Sequence, residues 1–203
     1  MKRILLSLFL FASLSLWAQS PVAIGDILCT DGSTVKPNEF ATSGKTALGI
    51  VFYVDSSHQH GWAVHPEYQG TTIWGDSHID IPGLANFRKF CDAIQDTDGY
   101  TNTSIIRDCG DASTFPAAWA VDFENGWYLP AAGQFRQLYG YIPEINRSLN
   151  IVGGEPFLLS PDWLVWTSTE CDGANAWDIS YLGSEGHIKK GNHSFHVRAV
   201  RSF

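Results

Sequence analysis

Apolar residues occupy both faces of the segment from Ala47 to Val54. Leu48, Ile50, Phe52 and Val54 share one face, and Val51 and Tyr53 share the other. A strand that is apolar on both sides predicts a central position in a sheet. The polar run Ser56 to Gly61 predicts a turn, with Trp62 to His65 returning as the partner strand of a hairpin. Upstream, Gly25 to Thr34 reads as a short strand and turn bent at Asp31-Gly32, and the polar stretch Lys36 to Lys45 reads as a loop. Leu84, Phe87, Cys91 and Ile94 fall at helical spacing with Phe90 beside them, predicting a helix over 84–95 that Asp96-Thr97-Asp98-Gly99 ends. Thr101 to Arg107 reads as a second helical piece. Pro116 suits the first turn of a helix to about Phe123, with Ala117, Ala120 and Val121 inward. Pro130 likewise opens a helix to about Tyr139, with Phe135, Leu138 and Tyr139 as its apolar stripe. The last fifth predicts strands at Leu164 to Thr169, Ala176 to Tyr181, His187 to Lys190 and Ser194 to Val200, with a turn at Gly183 to Gly186. Strands, then helices, then a strand meander indicate one α+β domain over 25–203, preceded by a short extension at 19–24.

The first eighteen residues break this pattern. Lys2 and Arg3 precede an uncharged apolar run from Ile4 to Trp17, and Ala18 supplies the small residue of a cleavage site. That run matches an export-signal core and is too short to span a bilayer. The expected location is therefore outside the cytoplasm of a bacterium: periplasmic, secreted or at the cell surface. No Cys closely follows the run, and no later apolar segment is long enough to span a membrane.

Losing Lys2 and Arg3 would take the formal net charge from −8 to about −10. With no basic cluster to neutralise phosphates, nucleic acid and anionic lipid are poor partners. Cys29, Cys91, Cys109 and Cys171 are an even set in an exported chain, which suggests disulfides. Cys91 with Cys109 would close a local loop and Cys29 with Cys171 a long-range staple; buried thiols are the alternative.

The phrase Gly126-Trp127-Tyr128-Leu129-Pro130-Ala131-Ala132-Gly133-Gln134-Phe135 resembles a segment of the Lcl C-terminal domain family and of the related Fibrobacter succinogenes major paralogous domain. Trp166-Thr167-Ser168-Thr169-Glu170, Ala176-Trp177, Val197-Arg198-Ala199-Val200-Arg201 and Leu48-Gly49-Ile50-Val51-Phe52-Tyr53 resemble further marks of these families, in order. The resemblance implies a C-type-lectin-like fold, a twisted antiparallel meander with two to four short flanking helices. That fold hosts sugar binders, protein binders, adhesion tips and a formylglycine-generating oxidase, so it fixes fold better than function. Two positions depart from the family: Ala199 stands for a frequent Cys, and Gln134 for a common Glu. Core packing accounts for the phrases themselves, with Trp127, Tyr128, Phe135 and Leu138 filling the interior and Arg198 and Arg201 pairing with carboxylates.

Candidate chemistry is sparse. Glu155-Pro156-Phe157 and Trp177-Asp178 are incomplete versions of the lectin calcium loops and supply fewer than the six to eight oxygens calcium takes. No cofactor or metal is expected on that basis. Glu170, Asp172, Asn175 and Asp178 cluster in and beside one loop, as a recognition patch or as a turn held by Asx hydrogen bonds around Gly173. His58 with His60, and His193 with His196, lack a third ligand at useful spacing. No catalytic motif is present, and a copper-binding oxidase would need a reactive cysteine pair that Cys91 and Cys109 do not resemble. Among the tryptophans, Trp74 and Trp163 sit in polar loop contexts and are the expected exposed pair. The expectation is a non-catalytic surface module binding protein or glycan through loop residues, here Trp163, Glu170, Asp172, Asn175, Asp178 and Trp74. A structural subunit of a surface assembly is the alternative, and an oxidase-like enzyme a more distant one.

Overall fold

The computed structural model describes residues 21–180 and 185–203; the expected export signal and part of the turn at Gly183 to Gly186 lie outside them. The first sheet orders its strands β10-β4-β3-β1-β2, comprising β1 (Ile27–Cys29), β2 (Thr34–Val35), β3 (Ala47–Val54), β4 (Gly61–Val64) and β10 (Val200–Ser202). The doubly apolar β3 takes the central place, and the bend at Asp31-Gly32 joins β1 to β2. The second sheet orders β5-β9-β6-β7-β8, with β5 (Thr71–Thr72), β6 (Leu164–Asp172), β7 (Asn175–Ser180), β8 (Glu185–Lys189) and β9 (Phe195–His196). Strands β6, β7 and β8 form the expected meander, but β9 joins β6 in parallel, so this sheet is mixed. The architecture is α+β.

Among the described residues, six α-helices accompany the sheets rather than two to four helices: α1 (Pro37–Ser43), α2 (Phe90–Ala93), α3 (Gly99–Cys109), α4 (Pro116–Trp119), α5 (Ala132–Tyr139) and α6 (Ile142–Val152). The loop expected over 36–45 is helix α1, started by Pro37 in its first turn and stopped by Gly44 at φ 67°. Helix α6 was not anticipated, although Ile142, Ile145 and Leu149 form a buried stripe behind Pro143, and Gly153 at φ 73° ends it. The helix expected over 84–95 contracts to the single turn α2. Tertiary hydrogen bonds claim its first half: Phe87 N–H donates to Glu170 O at 2.9 Å, and Trp177 Nε1 donates to Phe87 O at 2.7 Å. The final strand is also broken, into β9 and β10, with the segment between them turned inward.

One core lies where β1, β3 and β4 meet α5 and α6, built on Ile27, Ile50, Phe52, Phe135, Leu138, Ile145 and Leu149. A second gathers Trp74, Phe115, Trp127, Leu129, Trp166 and Val197. The Gly126–Phe135 phrase joins them. Gln134 is buried, and its Oε1 accepts from the Ala131 N–H at 3.0 Å and the Gly99 N–H at 3.2 Å, while its Nε2 donates to Tyr128 Oη at 3.2 Å. This is the returning half of a capping box, done by a neutral amide at the family's Glu position. Gly133 packs so closely that a β-carbon would sit 2.4 Å from Asp96 O.

The expected disulfides are not formed. All four cysteines are free, Cys29 and Cys171 buried and Cys91 and Cys109 exposed. Cys29 lies on β1 and Cys171 on β6, in different sheets, while Cys91 and Cys109 lie on different helices. Among the described residues, no helix is long and apolar enough to cross a membrane.

Candidate functional site

The β6–β7 cluster read from the sequence divides into separate environments. Glu170 is fully buried and ion-pairs with Lys190, also fully buried. Lys190 Nζ donates further to Ile79 O at 2.7 Å and lies 4.9 Å from the centre of the Trp74 ring. Burial pushes the Glu170 carboxyl upward, and the Lys190 ammonium acts against that shift. Trp74, expected at the surface, is 1 % exposed and gives its indole N–H to Thr167 O at 2.7 Å. Its short loop crosses the sheet face, and an indole with its one donor satisfied packs there without cost.

Asp172 and Asn175 close the β6–β7 turn. Asp172 Oδ1 accepts from the Ala174 N–H at 2.9 Å, the Asn175 N–H at 3.0 Å and Asn175 Nδ2 at 2.9 Å. Asp178 is buried on β7 opposite Gly186 of β8, and burial pushes its carboxyl up to about 7. Trp163 is half-buried at the other end of β6, stacked on His196 at 3.6 Å and bonded through Nε1 to Tyr68 Oη. The six residues therefore form a buried charge node (Trp74 and Glu170), a turn (Asp172 and Asn175), a buried acid facing β8 (Asp178) and an aromatic stack (Trp163). They do not converge on one surface.

The terminal Val-Arg-Ala-Val-Arg phrase is more informative. Neither arginine pairs with a carboxylate among the described residues. Arg198 is fully buried: Nε donates to His65 O at 2.8 Å, and Nη2 donates to Pro66 O and Glu155 O at 2.9 Å each. Its guanidinium lies 4.2 Å from the centre of the Tyr68 ring, so it fastens the 155 loop to the end of β4.

Arg201, three residues on, sits on the outer face of the first sheet. Its guanidinium lies 5.3 Å from the centre of the Trp127 ring and makes one long hydrogen bond, Nη1 to Asn125 O at 3.4 Å. Its Nε is buried with no hydrogen-bond partner. Beside it opens a groove of about 750 Å³, with Leu28, Leu48 and Trp127 toward the sheet and Gln59, Asp122 and Asn125 among its polar lining. The groove continues past Phe203 into a second hollow of about 460 Å³ bordered by Ser33, Thr34, Ser57 and His58. Trp127 is held by the His65 ring at 4.7 Å and by close contact with Gly49, while Asn125 Nδ2 donates to Asp122 Oδ2 at 2.7 Å. Trp127 is the core residue the sequence predicts and also edges this groove, whereas reading Arg201 as a core ion-pair residue missed it; the polar Asp122, Asn125 and Gln59 around them were its available signal.

The fold is similar to that of a fimbrial protein. The match is to a crystal structure of a fimbrial protein from Bacteroides ovatus, with a TM-score of 0.72 and 19 % identity. It covers 90 % of this chain and 49 % of the fimbrial protein, so the chain spans about half that protein's length. At this identity the likeness concerns fold. No family model matches the chain, and no curated protein matches it, so the Lcl and Fibrobacter resemblance rests on the sequence phrases alone. Among the described residues, no group of three or more His, Cys, Asp or Glu is gathered to hold a metal.

Proposed function

We propose that this protein is an exported, non-catalytic subunit of a bacterial surface assembly, and that it recognises its ligand through the groove beside Trp127 and Arg201. The observation carrying this reading is the fold shared with a fimbrial protein over 90 % of the chain. The export pattern of residues 1–18 agrees with it, and the sequence phrases supply the narrower reading of the fold as C-type-lectin-like. The groove's mixed polar and aromatic lining suits recognition.

An oxidase-like enzyme would need two adjacent reactive thiols. Cys91 and Cys109 are free and exposed, but both sit on helices. Cys109 ends α3, about 15 Å along its axis from the turn that follows α2. Immunogold electron microscopy of bacteria producing the tagged chain tests the proposal. Label on surface filaments or the outer envelope is the expected result, and label confined to the cytoplasm would sink it.

A further inference from the structure

We infer that the Trp127 groove binds an oligosaccharide carrying an isolated carboxylate, a uronic or sialic acid residue, and that Arg201 holds that carboxylate. The inference rests on the recognition reading above and names its ligand class. The two arginines of one phrase make the case by contrast. Arg198 gives Nε and Nη2 to three backbone carbonyls inside the protein, and its Nη1 is buried away from the groove. Arg201 has one long hydrogen bond and no carboxylate in ion-pair range among the described residues, yet lines an open groove. Asp122, in the same groove, hydrogen-bonds Asn125 rather than Arg201. Arg201 Nε is buried, so the donors left for the groove are those of the two Nη atoms, of which Nη1 gives one hydrogen to Asn125 O. Set against an indole, that end of the guanidinium is a pre-positioned carboxylate receptor, because its planar fork matches the two oxygens.

The remaining lining selects the rest of the ligand. Asp122, Asn125 and Gln59, with Thr30 close by, offer the planar and hydroxyl groups that pair with sugar hydroxyls, and the half-exposed Phe203 ring offers a stacking face. The two hollows share Gly32, Gln59 and Phe203 in their linings, so a ligand in one adjoins the other. The formal net charge of −8 opposes a dense polyanion, so one acid per few sugars fits better than nucleic acid or a heavily sulfated chain.

The test arrays the exported chain against sialylated and uronate-bearing oligosaccharides, their neutral parents, the methyl esters of the acidic members, and peptides with free C-terminal carboxylates. Calorimetry on the strongest acidic member follows. The expected result is binding to acidic glycans, roughly 10- to 100-fold weaker binding of the neutral parent and the ester, and a similar loss in Arg201→Gln. Arg201→Lys should recover part of the loss. The ester arm alters the ligand alone, so it decides the matter even if Arg201→Gln fails to fold. Equal affinity for neutral parents or esters, or binding by peptides only, overturns the inference while leaving a recognition subunit standing. No binding in any arm overturns the inference, and cytoplasmic immunogold label overturns the proposed function separately.

Discussion

Replacing Lys190 with Met probes the one ion pair among the described residues in which both side chains are fully buried. The substitution keeps most of the side-chain volume beside Trp74 but leaves Glu170 in a site with no solvent access. Breaking a buried pair by removing one partner costs about 3–5 kcal/mol, because the surviving charge is unpaired. Against the ~5–15 kcal/mol that holds a typical domain folded, that is a large share. At roughly 2–4 °C per kcal/mol for a chain of this size, the melting temperature should fall by about 6–20 °C. The loss should also depend on pH in a defined direction. The folded Glu170 carboxyl already lies above its ordinary value through burial, and loss of Lys190 raises it further. A raised carboxyl stabilises the fold when protonated and loses that contribution as pH rises through its folded value. The Lys190→Met deficit should therefore be largest near pH 7.5 and shrink toward pH 5. Thermal and urea melts followed by circular dichroism measure it. The double variant Glu170→Met with Lys190→Met, which removes both charges, should recover much of the loss. A single-variant cost below about 1 kcal/mol with no pH dependence would refute the reasoning.

Asp178 gives a second pH signature. With its carboxyl raised from 3.8 to about 7 by burial, its contribution is complete below about pH 4 and lost as pH rises to about 7. The corresponding free energy is up to about 4 kcal/mol, so Asp178→Asn should gain melting temperature relative to wild type across that interval; parallel curves would contradict the assignment. The thiols give a third. Under non-reducing conditions, a thiol reagent should titrate the two exposed cysteines in the native protein and all four in denaturant. An intact mass two hydrogens light would contradict the free state.

What the sequence revealed depended on whether local pattern and tertiary bonding agreed. Strand β3 and the β6–β7–β8 meander were legible because the doubly apolar run of the one and the bounding turn residues of the others point the same way as the sheets. The 84–95 segment was not, because its helical spacing competes with Phe87's backbone bonds to β6 and to Trp177. Helices α1 and α6 carried readable stops in Gly44 and Gly153, but their polar or short apolar surroundings masked them. Trp74 was placed at the surface from polar neighbours, and its burial depends on Lys190 and Thr167, far along the chain. The candidate acids suffered the same way: proximity in sequence put Glu170, Asp172 and Asp178 together, and sheet geometry sent them to a buried node, a turn and a buried face.

The terminal phrase shows why a motif explained by packing can still place a guanidinium beside an open groove. Arg198 lies in the inward segment between β9 and β10, where its charge must be answered by carbonyls and aromatic rings, since a buried guanidinium without partners is costly. Arg201 lies within β10, on the sheet face away from the main core, where the neighbouring apolar patch of Leu28, Val51 and Ala63 is covered by Phe203 and Leu48. A spacing of three already turns them to opposite faces of an extended chain. The break between β9 and β10 adds to this, because it leaves Arg198 in the inward connection and Arg201 in the first sheet. If both arginines served only the fold, Arg201 would be expected to find a carboxylate or several carbonyls as Arg198 finds its three. It instead keeps one long bond beside an open groove, and that asymmetry within five residues is what the proposed recognition surface rests on.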